Sequence, residues 1–200
     1  MHWVGLSAVA VMAAAGVLEA GRKRYDLFGM IVVALAAALG GGSLRDLLLD
    51  RPVFWVADQS YLVAAFAAAF LTFFLARVFV LPPRLFLIPD AAGLALFTVM
   101  GTKAALVWGA PWLVASVMGV ITGVMGGVLR DVLCNEEPLV FQGNLYATAA
   151  WGGALLLLGL LALGADEGLA ALAAGAGIFL VRVAAIRWGI GLPRFTAKGL

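Results

Sequence analysis

Arg45-Asp46 and Arg130-Asp131 are ionisable pairs set at the far ends of long apolar runs, each a few residues past a group of glycines. The first stretch reads Gly40-Gly41-Gly42-Ser43-Leu44-Arg45-Asp46, the second Gly126-Gly127-Val128-Leu129-Arg130-Asp131. An ionisable residue within a membrane span faces the protein interior or an aqueous path, and is a functional candidate by default. The chemistry on offer is electrostatic. Aspartate attracts cations, arginine narrows or gates a route, and carbonyls freed where a helix breaks offer oxygen ligands to a dehydrated cation. Adjacent residues on a helix do not face one another, so each Arg and each Asp is expected to find its partner on another element.

Two readings of the glycines compete. Small residues let helices approach closely, a packing role that needs no further function. Alternatively the helix unwinds, which is tolerated at membrane depth only where freed backbone groups face protein or a water-filled cavity. The flanking charges favour the second reading, so helix breaks are expected at Gly40, Gly41 and Gly42 and again at Gly126 and Gly127. The charges also have a plainer reading. Counting from Leu27 at about 1.5 Å per residue, Arg45 lies roughly 27 Å along its helix, near the edge of the hydrocarbon core, where an arginine can snorkel.

Lys103 is a further candidate, lying in an apolar run one step round from Thr98 and Thr102, which share a helix face. It either lines a cavity or snorkels from the outer end of its helix. Glu19, beside the basic linker Arg22-Lys23-Arg24, reads as an interfacial charge, and the single Cys134 as a small apolar filler. Neither a catalytic triad, a metal-ligand cluster nor a phosphate-binding loop is legible, so no enzyme, cofactor or nucleic-acid partner is expected.

The elements that position these residues are membrane helices. The chain is 64% hydrophobic and 12% charged, with a mean hydropathy of +1.09; ordinary globular domains carry roughly 25% charged residues. Apolar runs of about 20 residues, the length that crosses a bilayer core, recur at 3–20, 27–49, 59–79, 90–108, 112–133, 144–164 and 168–188. With seven spans, one side receives Arg22, Lys23, Arg24, Arg77, Arg84, Arg130, Arg182, Arg187, Arg194 and Lys198. The other receives only Arg45, Arg51 and Lys103. Cytoplasmic loops are enriched in Lys and Arg, which predicts an outside N-terminus and a cytoplasmic C-terminus.

A shift of 85 residues lays Gly41-Gly42 and Leu44-Arg45-Asp46 over Gly126-Gly127 and Leu129-Arg130-Asp131, Gly16 over Gly101 and Tyr61 over Tyr146. The predicted fold is therefore all-α: seven transmembrane helices arranged as two three-helix repeats, at 1–80 and 90–164, plus a seventh helix and tail at 165–200. Three is odd, so the second repeat enters from the opposite side. Inverted repeats of this kind belong to transport proteins, with the permeation site at the repeat interface.

The doubled Gly-Gly-x-Leu-Arg-Asp pattern, Asp26-Leu27-Phe28-Gly29 after the first linker, Asp90 to Phe97 and Tyr146-Ala147 together resemble the bacterial branch of the trimeric intracellular cation (TRIC) channel family. The resemblance covers residues 5 to 188. It implies a homotrimer in the bacterial inner membrane, surrounded by lipid and without a soluble partner, each protomer carrying a pore lined by kinked second and fifth spans. It also implies a monovalent cation channel with potassium as the principal permeant ion and no bound cofactor. Animal members bind a phosphoinositide through a Lys-Glu-Val pattern that this chain lacks, so no lipid site is carried over. A secondary transporter of a small solute such as glycine would use the same inverted repeat, and is the alternative.

Overall fold

The computed structural model describes residues 2–79, 82, 84–143 and 145–193. Among them run eight α-helices: α1 (His2–Arg22), α2 (Leu27–Leu48), the short α3 (Phe54–Ala57), α4 (Ser60–Val78), α5 (Leu87–Val107), α6 (Trp112–Leu133), α7 (Ala147–Ala162) and α8 (Glu167–Trp188). Six of them are long and apolar enough to cross a membrane; α7, with 16 residues, is shorter. The chain is a multi-pass membrane protein. The tail residues Arg194 and Lys198, used in the charge count, lie outside the described residues.

Local chemistry sets the helix ends. The Asp26 carboxylate accepts from Gly29 N at 2.7 Å and caps α2, and Asp166 does the same for α8 through Leu169 N at 2.9 Å. Pro111 precedes the first residue of α6. Beyond the C-terminal ends of α2 and α6, Asp50 (φ 50°) and Asn135 (φ 51°) turn the chain in the left-handed region that Asn and Asp tolerate.

Helices α1, α2 and α4 pack together, as do α5, α6 and α7; the two groups join where α2 meets α6 and α1 meets α5. Helix α8 lies against α5 and α7. The core is built from small residues, with Ala8, Ala13, Ala34, Ala65 and Ala69 all at 1% exposure or less. That suits helices held by close van der Waals packing in a solvent as apolar as their side chains. Helix α4 is the least enclosed of the candidate spans, only 11% of its apolar window being buried.

The expected breaks are not there. Helix α2 runs unbroken through Gly40, Gly41 and Gly42, and α6 through Gly126 and Gly127. The reason is a tight crossing. A Cβ on Gly41 would collide with the Thr122 carbonyl oxygen of α6, and one on Gly126 with the Ala37 carbonyl oxygen of α2. Each helix lends its glycine to the other's backbone. Their carbonyls stay in helical hydrogen bonding and are not free ion ligands, so the packing reading of the glycines holds.

Candidate functional site

The two Arg–Asp pairs sit at the C-terminal ends of α2 and α6, and both are buried. Exposure is 6% for Arg45, 0% for Asp46, 0% for Arg130 and 3% for Asp131. The expectation drawn from helix geometry holds in part: Arg130 and both aspartates find partners on other elements, but each arginine also folds back on its own neighbour. Arg45 Nε donates to Asp46 Oδ1 at 2.9 Å, and Arg130 Nε to Asp131 Oδ1 at 2.9 Å. Successive side chains point about 100° apart around a helix, but the long arginine stem reaches round that arc. A carboxylate fixed from outside the helix gives it a stationary target.

The fixing groups are backbone amides of the following linker. Asp46 Oδ2 accepts from Phe54 N at 2.9 Å and Asp131 Oδ2 from Leu139 N at 2.9 Å. The Asp46 and Asp131 carbonyls accept from Arg51 N and Glu136 N at 2.8 and 2.9 Å. Every one of these bonds recurs 85 residues on. Each aspartate thus closes its helix end and starts the next short turn, α3 in one case and the 3-10 turn Leu139–Phe141 in the other.

The two sites then diverge. At the first, Arg45 lies 5.7 Å over the Phe54 ring, which packs edge-on against Tyr61 at 4.9 Å. At the second, Arg130 Nη1 also donates to Asp90 Oδ1 of α5 at 2.5 Å, and Tyr146 Oη donates to the same oxygen at 3.2 Å. Arg182 of α8 lies 4.6 Å over the Tyr146 ring and donates to the Leu145 carbonyl at 2.9 Å. Asp90 Oδ2 and Arg182 Nε are buried there without a hydrogen-bond partner among the described residues, while Arg130 Nη2 lies 2.8 Å from Asp131 Oδ1. A polar cavity of about 350 Å³ adjoins this cluster, lined among others by Asp131, Arg182, Glu19, Arg22 and Arg84.

Sequence reasoning missed Asp90, Tyr146 and Arg182 as site residues. Two of the three carried a usable signal. Asp90 opens the Asp-Ala-Ala-Gly-Leu-Ala-Leu-Phe stretch, and Arg182 lies well inside a predicted span, where an ionisable side chain calls for a partner.

The remaining candidates lie elsewhere. Thr98 and Thr102 are fully buried in the α5–α6 seam, where a Cβ on Gly123 or Gly119 would strike them. Thr102 Oγ1 donates to the Thr98 carbonyl at 2.9 Å. Lys103 pairs with Glu167 of α8. Glu19 is 1% exposed and accepts from Arg22 at 2.9 Å. Outside the spans, Lys23 Nζ sits 2.7 Å from Glu136 Oε1. Their hydrogen bond raises the Lys23 pKa and lowers that of Glu136.

Comparison with known proteins covers almost the whole chain. The family model described as "Glycine transporter" matches twice, at residues 2–77 and 87–162. The UPF0126 inner membrane protein YadS of Escherichia coli is 41% identical, over 98% of this chain and 96% of its own length. A UPF0126 membrane protein of Vibrio cholerae is 40% identical, over 98% of this chain and 82% of its own. The crystal structure of the TRIC channel orthologue from Rhodobacter sphaeroides superposes with a TM-score of 0.89 at 39% identity, covering 94% of this chain and 97% of that one. This chain belongs to the TRIC/UPF0126 family. A second TRIC cation channel structure matches with a TM-score of 0.88 at 30% identity, over 100% of this chain and 99% of that one. Within the TRIC/UPF0126 frame, the doubled match starts at positions 85 residues apart, the same shift that relates the two Arg–Asp sites. The structural neighbours are membrane channels, not enzymes.

Proposed function

We propose that this protein is a cation channel of a bacterial inner membrane, permeable to potassium, with a permeation path in each protomer of a homotrimer. The observation that carries this reading is the full-length likeness, at 39% identity, to a TRIC cation channel orthologue. Buried ionisable groups at two helix ends of a membrane protein support it, since such groups mark ion pathways more often than lipid contacts.

In this reading the topology is two inverted three-helix repeats, α1-α2-α4 and α5-α6-α7, followed by α8 as the seventh span. The N-terminus is outside and the C-terminus cytoplasmic. Inversion puts the Arg45–Asp46 site near the outer mouth and the Arg130–Asp131–Asp90 site near the inner one. The buried Arg–Asp pairs control cation entry at each mouth. Between them the α2–α6 crossing at Gly41 and Gly126 is the constriction, closed wherever the two backbones touch.

The test is a planar bilayer recording of purified protein under a potassium gradient, comparing the parent with Arg130→Ala. Unitary currents that reverse near the potassium equilibrium potential, with altered amplitude or gating in the variant, are expected. A silent bilayer, together with saturable gradient-driven glycine uptake into vesicles from the same preparation, would overturn the channel reading.

A further inference from the structure

A groove of about 360 Å³ lies at the basic end of the first helix group, sharing Arg22 and Phe86 with the polar cavity beside the second Arg–Asp site. Its walls come from Val17 and Gly21 of α1, Met30 of α2, Phe73 and Ala76 of α4, and Phe86. Arg22 and Arg77 also line it. An apolar floor beneath two guanidinium groups, on a face of the molecule that is largely unenclosed, is amphipathic in the same sense as a lipid. The outward side of α4 supports this, with Leu71 and Phe74 exposed by 62% and 56%.

The charges decide which lipid. Arg77 makes no ion pair with a described residue; its only partner among them is the Phe73 ring, 5.4 Å below the guanidinium carbon. Arg22 is different, because its Nη1 donates to both Glu19 oxygens at 2.9 Å and its charge is largely balanced there. Its other nitrogens make no hydrogen bond to a described residue. Arginines at helix ends commonly snorkel toward headgroups, but most stand over no cavity. Here the ring beneath Arg77 holds the cation in place at the lip of a groove sized for a hydrocarbon segment. A guanidinium presents paired N–H donors that match phosphate oxygens.

We propose that this groove binds an anionic phospholipid, an acyl chain against Phe73, Met30 and Val17 and the headgroup phosphate at Arg77, with Arg22 as the secondary donor. The site is built from α1, α2 and α4 with Phe86 at the start of α5, and Arg77, its principal donor, touches neither Arg–Asp pair.

The experiment is native mass spectrometry of the full-length protein released from detergent, with phosphatidylglycerol or phosphatidylcholine added at matched concentration. The parent retains phosphatidylglycerol preferentially. Arg77→Gln lowers that affinity about fivefold, the attraction one basic side chain supplies at an anionic surface, and leaves phosphatidylcholine unchanged; Arg77→Lys keeps most of it. Gly21→Phe fills the groove and lowers retention of both lipids, since a Cβ added at Gly21 would meet only Met30 Cε, at 3.9 Å. Equal retention of the two lipids by the parent, or an unchanged preference in Arg77→Gln, overturns the proposal. So does displacement of phosphatidylglycerol by glycerol phosphate, which would make the site one for free phosphate. Absence of retained lipid in a trimer whose monomer retains it would assign the groove to a second copy of the chain.

Discussion

Replacing single glycines with alanine separates a helix crossing from a helix break. Alanine is favoured over glycine in a helix interior by about 1 kcal/mol, so at a break or an open position the substitution stabilises. At Gly41 the new methyl would meet the Thr122 carbonyl oxygen and lie 3.1 Å from its carbon; at Gly126 it would meet the Ala37 carbonyl oxygen and lie 3.2 Å from that carbon. These obstacles are helix backbone, which cannot rotate aside, so the overpacking cost sits toward the upper part of its usual range of about 1–3 kcal/mol. The net expectation is a loss of about 1–2 kcal/mol at each site. Gly152 and Gly159 have no atom within 4 Å of an added Cβ, and alanine there should stabilise by up to about 1 kcal/mol. Gly40 is intermediate, because its added methyl meets only the Leu129 Cδ1 atom, the far end of a flexible side chain. Gly41→Ala and Gly126→Ala disturb one crossing, so the double variant should lose less than the sum of the two. Equilibrium unfolding in mixed detergent micelles, followed by tryptophan fluorescence, reads these differences. Stabilisation of Gly41→Ala and Gly126→Ala to the level of Gly159→Ala would refute the tight crossing.

Two further expectations concern charge. Asp90→Asn leaves the fully buried Arg130 with Asp131 alone, and should cost about 3 kcal/mol in the same unfolding assay, the lower end for breaking a buried pair. Adding Arg130→Met should recover part of that loss, and its failure to do so would show that Asp90 acts through some other contact. The half-buried Lys23–Glu136 pair should give a stability difference between parent and Glu136→Gln that depends on pH. Glu136 is lowered from 4.5, so its contribution is present above that value and lost as pH falls through the folded pKa; Lys23 is raised from 10.5, so its contribution is present below that value and lost as pH rises through the folded pKa. A difference that stays constant from pH 3 to pH 11 would count against the pair.

The helices were legible because hydropathy and punctuation agree: Asp26, Pro111 and Asp166 stand at helix starts in the sequence and in the structure. The expected span 144–164 is cut to Ala147–Ala162 because Tyr146, with ψ −80°, precedes the helix rather than joining it. What the glycines do was not legible. A glycine inside a helix is the same letter whether the chain bends or a neighbour approaches, and the deciding atoms, the carbonyls of Thr122 and Ala37, belong to another helix. The bond from each arginine to its own neighbour is illegible for a related reason, although partners on other elements are there as expected. Angular position on a helix describes where a side chain starts, and an arginine ends far from there. Asp90 was overlooked because an acid at the first residue of a predicted span looks like an ordinary helix start.

The departure from the repeat carries its own argument. The 85-residue shift lays Tyr146 over Tyr61 and Asp90 over Gly5. At Gly5 an added Cβ would come within 2.8 Å of Tyr61 Cε1, so the first tyrosine occupies room that the second shares with a carboxylate. A buried carboxylate is costly unless balanced by a positive charge and hydrogen-bonded. Arg130 is already shared with Asp131, so the addition of Asp90 calls for one more base. Arg182 supplies it, stacked on the tyrosine whose hydroxyl reaches Asp90, and it comes from α8, the helix outside the doubled family match. The formal charge of the named pairs is then zero at both sites, Arg45 with Asp46 and Arg130 and Arg182 with Asp90 and Asp131. On this account α8 is tied to the second site by charge as well as by packing: without Arg182, Arg130 alone would face the two buried carboxylates Asp90 and Asp131.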